Sequence, residues 1–263
     1  MRRLLTAIAA LAFVAGSALP ALAGMLDDIR SRGTVRIGVS LGGEPIGFRD
    51  PQNNPVGYDV DVATMLAEKL GVPVEFTDVS GDARISMLVS GQLDIVVANT
   101  SATLERAKSV NFTIPYNRAG LRVIVQADSG IKTLADLAGK KIVVGRGTTG
   151  ETFIKKAVPE AELVYVDQFA PDGVLQLQQK RVDAAIEDSS LLDYLATKNP
   201  SLVTIEGLYS NDPISIAVAK GDPEFVRWLD MFVSDYIQSG AYEANYKKWW
   251  GETANPPALN PLW

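Results

Sequence analysis

Apolar and polar positions along this chain follow two periods that take turns. Thr34 to Ser40 (TVRIGVS) alternates apolar with other residues, the period of a half-buried strand. Asp59 and Asp61 then open a stretch in which Val62, Met65, Leu66 and Leu70 recur at helical spacing, and Gly71 is placed to end it. Val74 to Phe76 predicts a second strand, Arg84 to Val89 a helix, and the apolar run Leu93 to Ala98 a buried strand. Strand and helix in alternation predict an α/β sheet with helices on both faces.

The rhythm then restarts. GKKIVV (139–144) resembles GTVRIGV (33–39), and LVSGQLDIVVAN (88–99) has a partner in LQQKRVDAAIED (177–188). In each of the longer segments a helix ends in polar residues, and an apolar residue plus Asp (Leu93-Asp94, Val182-Asp183) leads into a strand. Each strand delivers a polar residue, Asn99 or Asp188, at its carboxyl end, where ligands of open α/β sheets sit. Such a repeat predicts two similar lobes whose strand ends face one cleft. Further on, Asp222-Pro223 is a cap followed by a first-turn proline. Phe225, Trp228, Leu229, Phe232, Val233, Tyr236 and Ile237 form one helical stripe, Gly240 stops it, and a shorter helix covers Tyr242 to Trp250.

Composition narrows the chemistry. The 263 residues include no histidine and no cysteine, so Ser-His and Cys-His catalysis, thiolate zinc sites and disulfides are excluded. The formal net charge of -6, with no basic block, argues against nucleic acid as a partner. No acidic cluster shows the spacing of a metal-binding loop, and no cofactor is expected. At the amino terminus, Met1-Arg2-Arg3, the apolar run Leu4 to Ala15 and Ala21-Leu22-Ala23 predict a cleavable signal peptide over residues 1–23. Without a Cys at the cleavage point a lipid anchor is ruled out, and a freely diffusing periplasmic protein is expected.

Seven segments together resemble the extracellular solute-binding proteins of family 3, which serve ABC importers of amino acids. They are VGYDVDVATMLAEKLGV (56–72), LVSGQLDIVVAN (88–99), TLERAKSVNFTIPY (103–116), IKTLADLAGKKIVVGRGTTGE (131–151), KRVDAAIED (180–188), AVAKGDPEF (217–225) and YKKWWG (246–251). The resemblance implies a two-lobed periplasmic binding protein fold (type II), each lobe a mixed sheet flanked by helices. Lobe 1 would comprise 24–119 and 216–263, lobe 2 would comprise 123–213, and hinge crossings would lie near 120–122 and 214–215. It also implies a monomer that closes its lobes over a small amino acid and meets an inner-membrane ABC permease.

An amino acid presents a carboxylate and an ammonium, and burying either is costly unless it finds a partner. By resemblance Arg106, in Leu104-Glu105-Arg106, takes the carboxylate with its planar fork. Thr148 and Thr149 sit at a turn into a helix where backbone N–H groups face an anion, and the resemblance implies that they close on the same group from lobe 2. Asp188 is the candidate for the ammonium, with Glu187 expected to point elsewhere because adjacent strand residues alternate faces. Asn99 and Ser101 match further polar contacts of the family. Departures from its pattern bear on the side chain. Ser40 stands where relatives place an acid, while Gly43 and Gly81 stand where they place aromatic rings; only Phe48 remains nearby. Arg84 and Arg146 add cations, which favours polar and in particular acidic amino acids such as glutamate or aspartate. Glu44, if it points inward, reverses that preference. The alternative is a lyase of the same fold resembling cyclohexadienyl dehydratase, with Glu44, Asp188 or Glu187 as acid.

Overall fold

The computed structural model describes residues 24–167 and 169–262; the expected signal peptide lies outside them. The chain runs through α1 (Met25–Arg32), β1 (Val35–Val39), β2 (Phe48–Arg49), β3 (Pro55–Val56), α2 (Tyr58–Leu70), β4 (Val74–Asp78), α3 (Ala83–Val89), β5 (Ile95–Val96) and β6 (Val110–Ala119). It continues through β7 (Leu121–Gln126), β8 (Lys141–Gly145), α4 (Thr149–Ala157), β9 (Glu162–Val166), α5 (Val174–Gln178), β10 (Ala184–Asp188), α6 (Ser189–Lys198) and β11 (Leu202–Thr204). β12 (Asp212–Ala219), α7 (Pro223–Gln238) and α8 (Ala241–Trp250) follow.

These strands form two sheets of five, in the orders β4-β1-β5-β12-β6 and β9-β8-β10-β7-β11. In both, the first three strands are parallel and the last two pair antiparallel. The protein is therefore two-lobed, with a mixed sheet in each lobe, and the repeat seen in sequence is a repeat of topology. It extends to single bonds. Asp94, just before β5, accepts the backbone N–H of Arg36 at 2.8 Å, and Asp183, just before β10, accepts that of Lys141 at 2.8 Å. In each lobe the repeated Asp thus ties the start of its own strand to the neighbouring parallel strand. Asp94 also pairs with the guanidinium groups of Arg32 and Arg36.

β12 returns the chain to the first sheet, so α7 and α8 pack on lobe 1 although they follow lobe 2. On one face of the first sheet, Val62, Leu66 and Leu70 of α2 and Phe225, Leu229, Phe232 and Val233 of α7 bury against Ile37 and Val39. Each such side chain contributes about 1.5–3 kcal/mol on leaving water. The other face is covered by Leu88 and Leu93, and the second lobe has cores of its own around Ile154 and Leu192. Trp250 packs against cores of both lobes and donates its indole N–H to the Ser190 carbonyl at 2.8 Å.

The lobes join at two places. Gly120 is the single residue between β6 and β7, and it accepts the backbone N–H of Ser189. The second link lies between β11 and β12; residues 214–215 are inside β12, where its pairing with β6 slips register. Regular pairing in β5 is shorter than the run Leu93 to Ala98 suggests, because the chain bends at Asn99, whose φ is +44°. Among the described residues no helix is long and apolar enough to cross a membrane.

Candidate functional site

The parallel strands of both sheets point their carboxyl ends at one cleft. Ser40 follows β1, Ser80 to Asp82 follow β4, and Asn99 follows β5 from lobe 1. Arg146 and Thr148 follow β8, Asp167 and Phe169 follow β9, and Glu187 ends β10 from lobe 2. Together they line a cavity of ≈ 640 Å³, counting the open solvent at its mouth. The lobes are shut around it. Asn99 Nδ2 donates to Asp188 Oδ2 at 2.7 Å, Arg106 to the Gly147 carbonyl at 3.0 Å, and Ala170 N–H to the Gly42 carbonyl at 2.8 Å.

Arg84 projects from α3 into the cavity wall and is only 7% exposed. One of its terminal nitrogens donates to the Ala98 carbonyl at 2.5 Å, while its Nε is buried without a partner. Among the described residues it forms no ion pair, and burial pulls its pKa down. Arg106 lies beside the cavity and is not part of its lining. Two of its donors go to the carbonyls of Ser101 at 2.8 Å and Gly147 at 3.0 Å. Burial first, and then repulsion from Arg84, lower it to about 10. Two guanidinium groups therefore stand at the cleft from lobe 1 without a direct ion pair among the described residues, in the longer-range field of the Asp188 and Glu187 charges.

Lobe 2 answers with acids. Asp188 is 3% exposed; one carboxylate oxygen takes the Asn99 amide and the other is buried without a partner. Burial raises its pKa, with the charge of Asp212 adding to the effect. Glu187 overturns the expectation that it points elsewhere. Alternation does separate the two neighbours, but Glu187 takes the cavity side while Asp188 reaches across to Asn99. Burial and the adjacent Asp188 raise Glu187 as well, holding it toward the protonated form.

The remaining residues singled out in sequence divide. Ser40 lines the cavity. Thr148 lines it too, but its hydroxyl caps α4, accepting the Glu151 N–H at 3.2 Å and donating to the Gly145 carbonyl at 2.8 Å. Thr149 opens α4 and Ser101 bridges to Ile214; neither belongs to the lining. Arg146 lines the cavity, and its guanidinium lies over the Tyr165 ring, 4.2 Å from the centroid. Glu44 does not face the cavity: it accepts the hydroxyl of Tyr194 from the other lobe at 2.5 Å. Phe48 sits edge-on to Trp249 and is likewise outside the lining. The ring that does reach the cavity is Phe169, together with Ile46, Val166 and Leu191 as the apolar part of the wall. Its sequence signal was the aromatic placed just past a strand's carboxyl end, hidden by the turn-like Pro171-Asp172-Gly173 that follows.

A closed interlobe cavity between two lobes of the same topology, with buried guanidinium groups on one side and buried carboxyl groups on the other, is the form of a two-lobed solute-binding protein. The sequence pattern of the bacterial extracellular solute-binding proteins, family 3, matches residues 35–252, and the chain belongs to that family. It is 28% identical over 255 residues to the L-cystine-binding protein TcyJ of Escherichia coli K12, covering 95% of this chain and 96% of that one. The solved structure of a solute receptor for L-cysteine from Neisseria gonorrhoeae is similar at a TM-score of 0.84 and 31% identity, over 90% of this chain and 99% of that one. An ancestral amino acid-binding protein described as a precursor of cyclohexadienyl dehydratase is similar at a TM-score of 0.80 and 34% identity, over 86% and 99%. Further relatives carry names for glutamine, arginine and glutamate/aspartate binding.

Proposed function

We propose that the protein is the periplasmic binding component of an ABC importer for a polar amino acid, with acidic side chains preferred. The observation that carries this reading is the facing of Arg84 and Arg106 in lobe 1 by Asp188 and Glu187 in lobe 2 across one cavity. Each of the four groups is desolvated and without a direct ion pair among the described residues. The attraction across the cavity offsets this only in part, so a zwitterion placed between them supplies a close partner to both sides at once. Arg106 has donors left for the α-carboxylate, with the loop before α4 beside it. Asp188 and Glu187 take the ammonium. Arg84, with an unpartnered Nε in the wall, takes an oxygen of the side chain, which favours aspartate- or glutamate-like ligands. The lobes turn about Gly120 and the link before β12, and the closed form is what a permease distinguishes from the open one.

Calorimetric titration with L-amino acids tests this. Arg106→Ala is expected to weaken binding by about 2–5 kcal/mol, the range for orphaning a buried charge partner; unchanged affinity sinks the assignment. A second reading rests on Glu187, since a carboxyl kept protonated beside a guanidinium is how a general acid is poised. The ancestral relative is itself named an amino acid binder, which favours capture over chemistry. Turnover of a prephenate-like acid by the same preparation, lost in Glu187→Gln, would reverse that preference.

A further inference from the structure

Two glycines mark the line where the lobes meet. A Cβ built on Gly43 would lie 2.1 Å from the Cβ of Ala170, and one built on Gly81 would lie 2.5 Å from the carbonyl oxygen of Arg146. Both obstacles belong to lobe 2. The hydrogen bond from Ala170 N–H to the Gly42 carbonyl makes this a joined seam rather than a chance approach. Non-bonded carbons settle at about 3.5–4.0 Å, so a methyl group at Gly43 would wedge the seam open by roughly an ångström or more, and one at Gly81, against an oxygen, by somewhat less.

What the seam brings down is Phe169. It directly precedes Ala170, is buried, lines the cavity, and belongs to one apolar cluster with Ile46 of lobe 1. The depth of closure at the two glycines therefore fixes how much room lies beneath the ring. The geometry points to Gly81 and Gly43 as specificity-determining residues that let the lobes close to backbone contact and so restrict the ligand to a compact amino acid. The size class is that of cysteine, serine or aspartate, with the extended side chains of arginine and cystine excluded. This deepens the amino-acid reading above and rests on it.

The two positions differ as probes. Gly43 has a φ of +156°, where any side chain is strained whatever surrounds it. Gly81 is not among the residues of positive φ, and the atoms a Cβ would meet there all belong to Arg146 and Thr148 across the seam. Gly81→Ala thus burdens the closed state and leaves the separated lobes as they were.

The test is calorimetric titration of L-cysteine, L-aspartate, L-arginine and L-cystine into the wild type and Gly81→Ala, alongside thermal unfolding of both proteins without ligand. The wild type is expected to favour the compact pair. Gly81→Ala should unfold at the same temperature and lose about tenfold or more in affinity for the compact pair, the scale of one overpacked methyl group. Its loss for any longer ligand should be smaller, so that the preference narrows. Phe169→Ala, which removes the ring while leaving Ala170 and both glycines in place, should admit the longer ligands. Undiminished binding by Gly81→Ala overturns the inference alone, as does an equal loss for every ligand. A wild type that binds no amino acid overturns this inference together with the reading beneath it.

Discussion

Asn99 holds a left-handed conformation that asparagine adopts more readily than most residues, and Asp59 keeps it there. One Asp59 oxygen accepts the Asn99 N–H at 2.6 Å and the other accepts the Tyr116 hydroxyl at 2.8 Å. That leaves the Asn99 side chain free to reach Asp188 in the other lobe. The arrangement has a titration consequence. Burial raises Asp59 from 3.8 to about 7, against the lowering effect of those two hydrogen bonds. A carboxyl whose folded pKa exceeds its unfolded one binds its proton more tightly in the native state. Its contribution to stability is complete in acid and is lost as pH climbs from about 4 to about 7, with a ceiling of about 4 kcal/mol. The unliganded protein should therefore be less stable at pH 8 than at pH 5, and Asp59→Asn should flatten that slope. Thermal unfolding across this range checks it; a mutant slope as steep as the wild type's would remove Asp59 as its source.

Among the elements, α7 shows how a local signal becomes a tertiary one. Asp222 caps it, accepting the Phe225 N–H at 2.8 Å, and its second oxygen takes the Met25 N–H at 2.7 Å. A cap that also anchors α1 should cost more to remove than an ordinary one: Asp222→Ala is expected to destabilise by about 1–2 kcal/mol, at the upper end for helix caps. Denaturant titration measures this, and a loss below about 0.5 kcal/mol would show that the Met25 bond adds nothing. Asp222-Pro223 and the apolar stripe behind it were readable in sequence because cap and period are local. The same holds for α2 and for the Asp of the repeat, which marks strand starts in both lobes. Asn99 and Thr148 were likewise placed by the pattern, at a strand's carboxyl end and at a strand-to-helix turn, whereas Ser40 and Arg84 were reached only through the family resemblance. Glu187 was misjudged because alternation says that two neighbours face opposite ways, not which of them faces the cavity. The resemblance marked Gly43 and Gly81 as positions where relatives carry rings, but Phe169 and the close approach of both glycines to lobe 2 escaped, because they exist only when the lobes touch and nothing near a glycine in sequence says what lies across a cleft.

At the scale of the molecule, lobe 2 is inserted between β6 and β12, adjacent strands of the lobe 1 sheet. Contacts near that junction, such as Ser189 N–H to the Gly120 carbonyl, and contacts at the cleft, such as Tyr194 to Glu44, stand in different positions when the lobes turn. If the lobes open about that junction, the first kind would persist and the second would break. Solution scattering should accordingly show a smaller radius of gyration once a bound amino acid saturates the protein, and superimposable profiles with and without it would contradict a moving cleft.

The lone Gly120 between β6 and β7 limits what that movement can be. One residue spans about 3.5 Å of chain at most, so the two sheets have almost no slack with which to slide or drift apart. Any opening of the lobes would therefore be a bend or twist about a nearly fixed point, like leaves on a short pin. Displacement then grows with distance from the pin, and a small change of backbone angle there is magnified into the widest excursion at the rim.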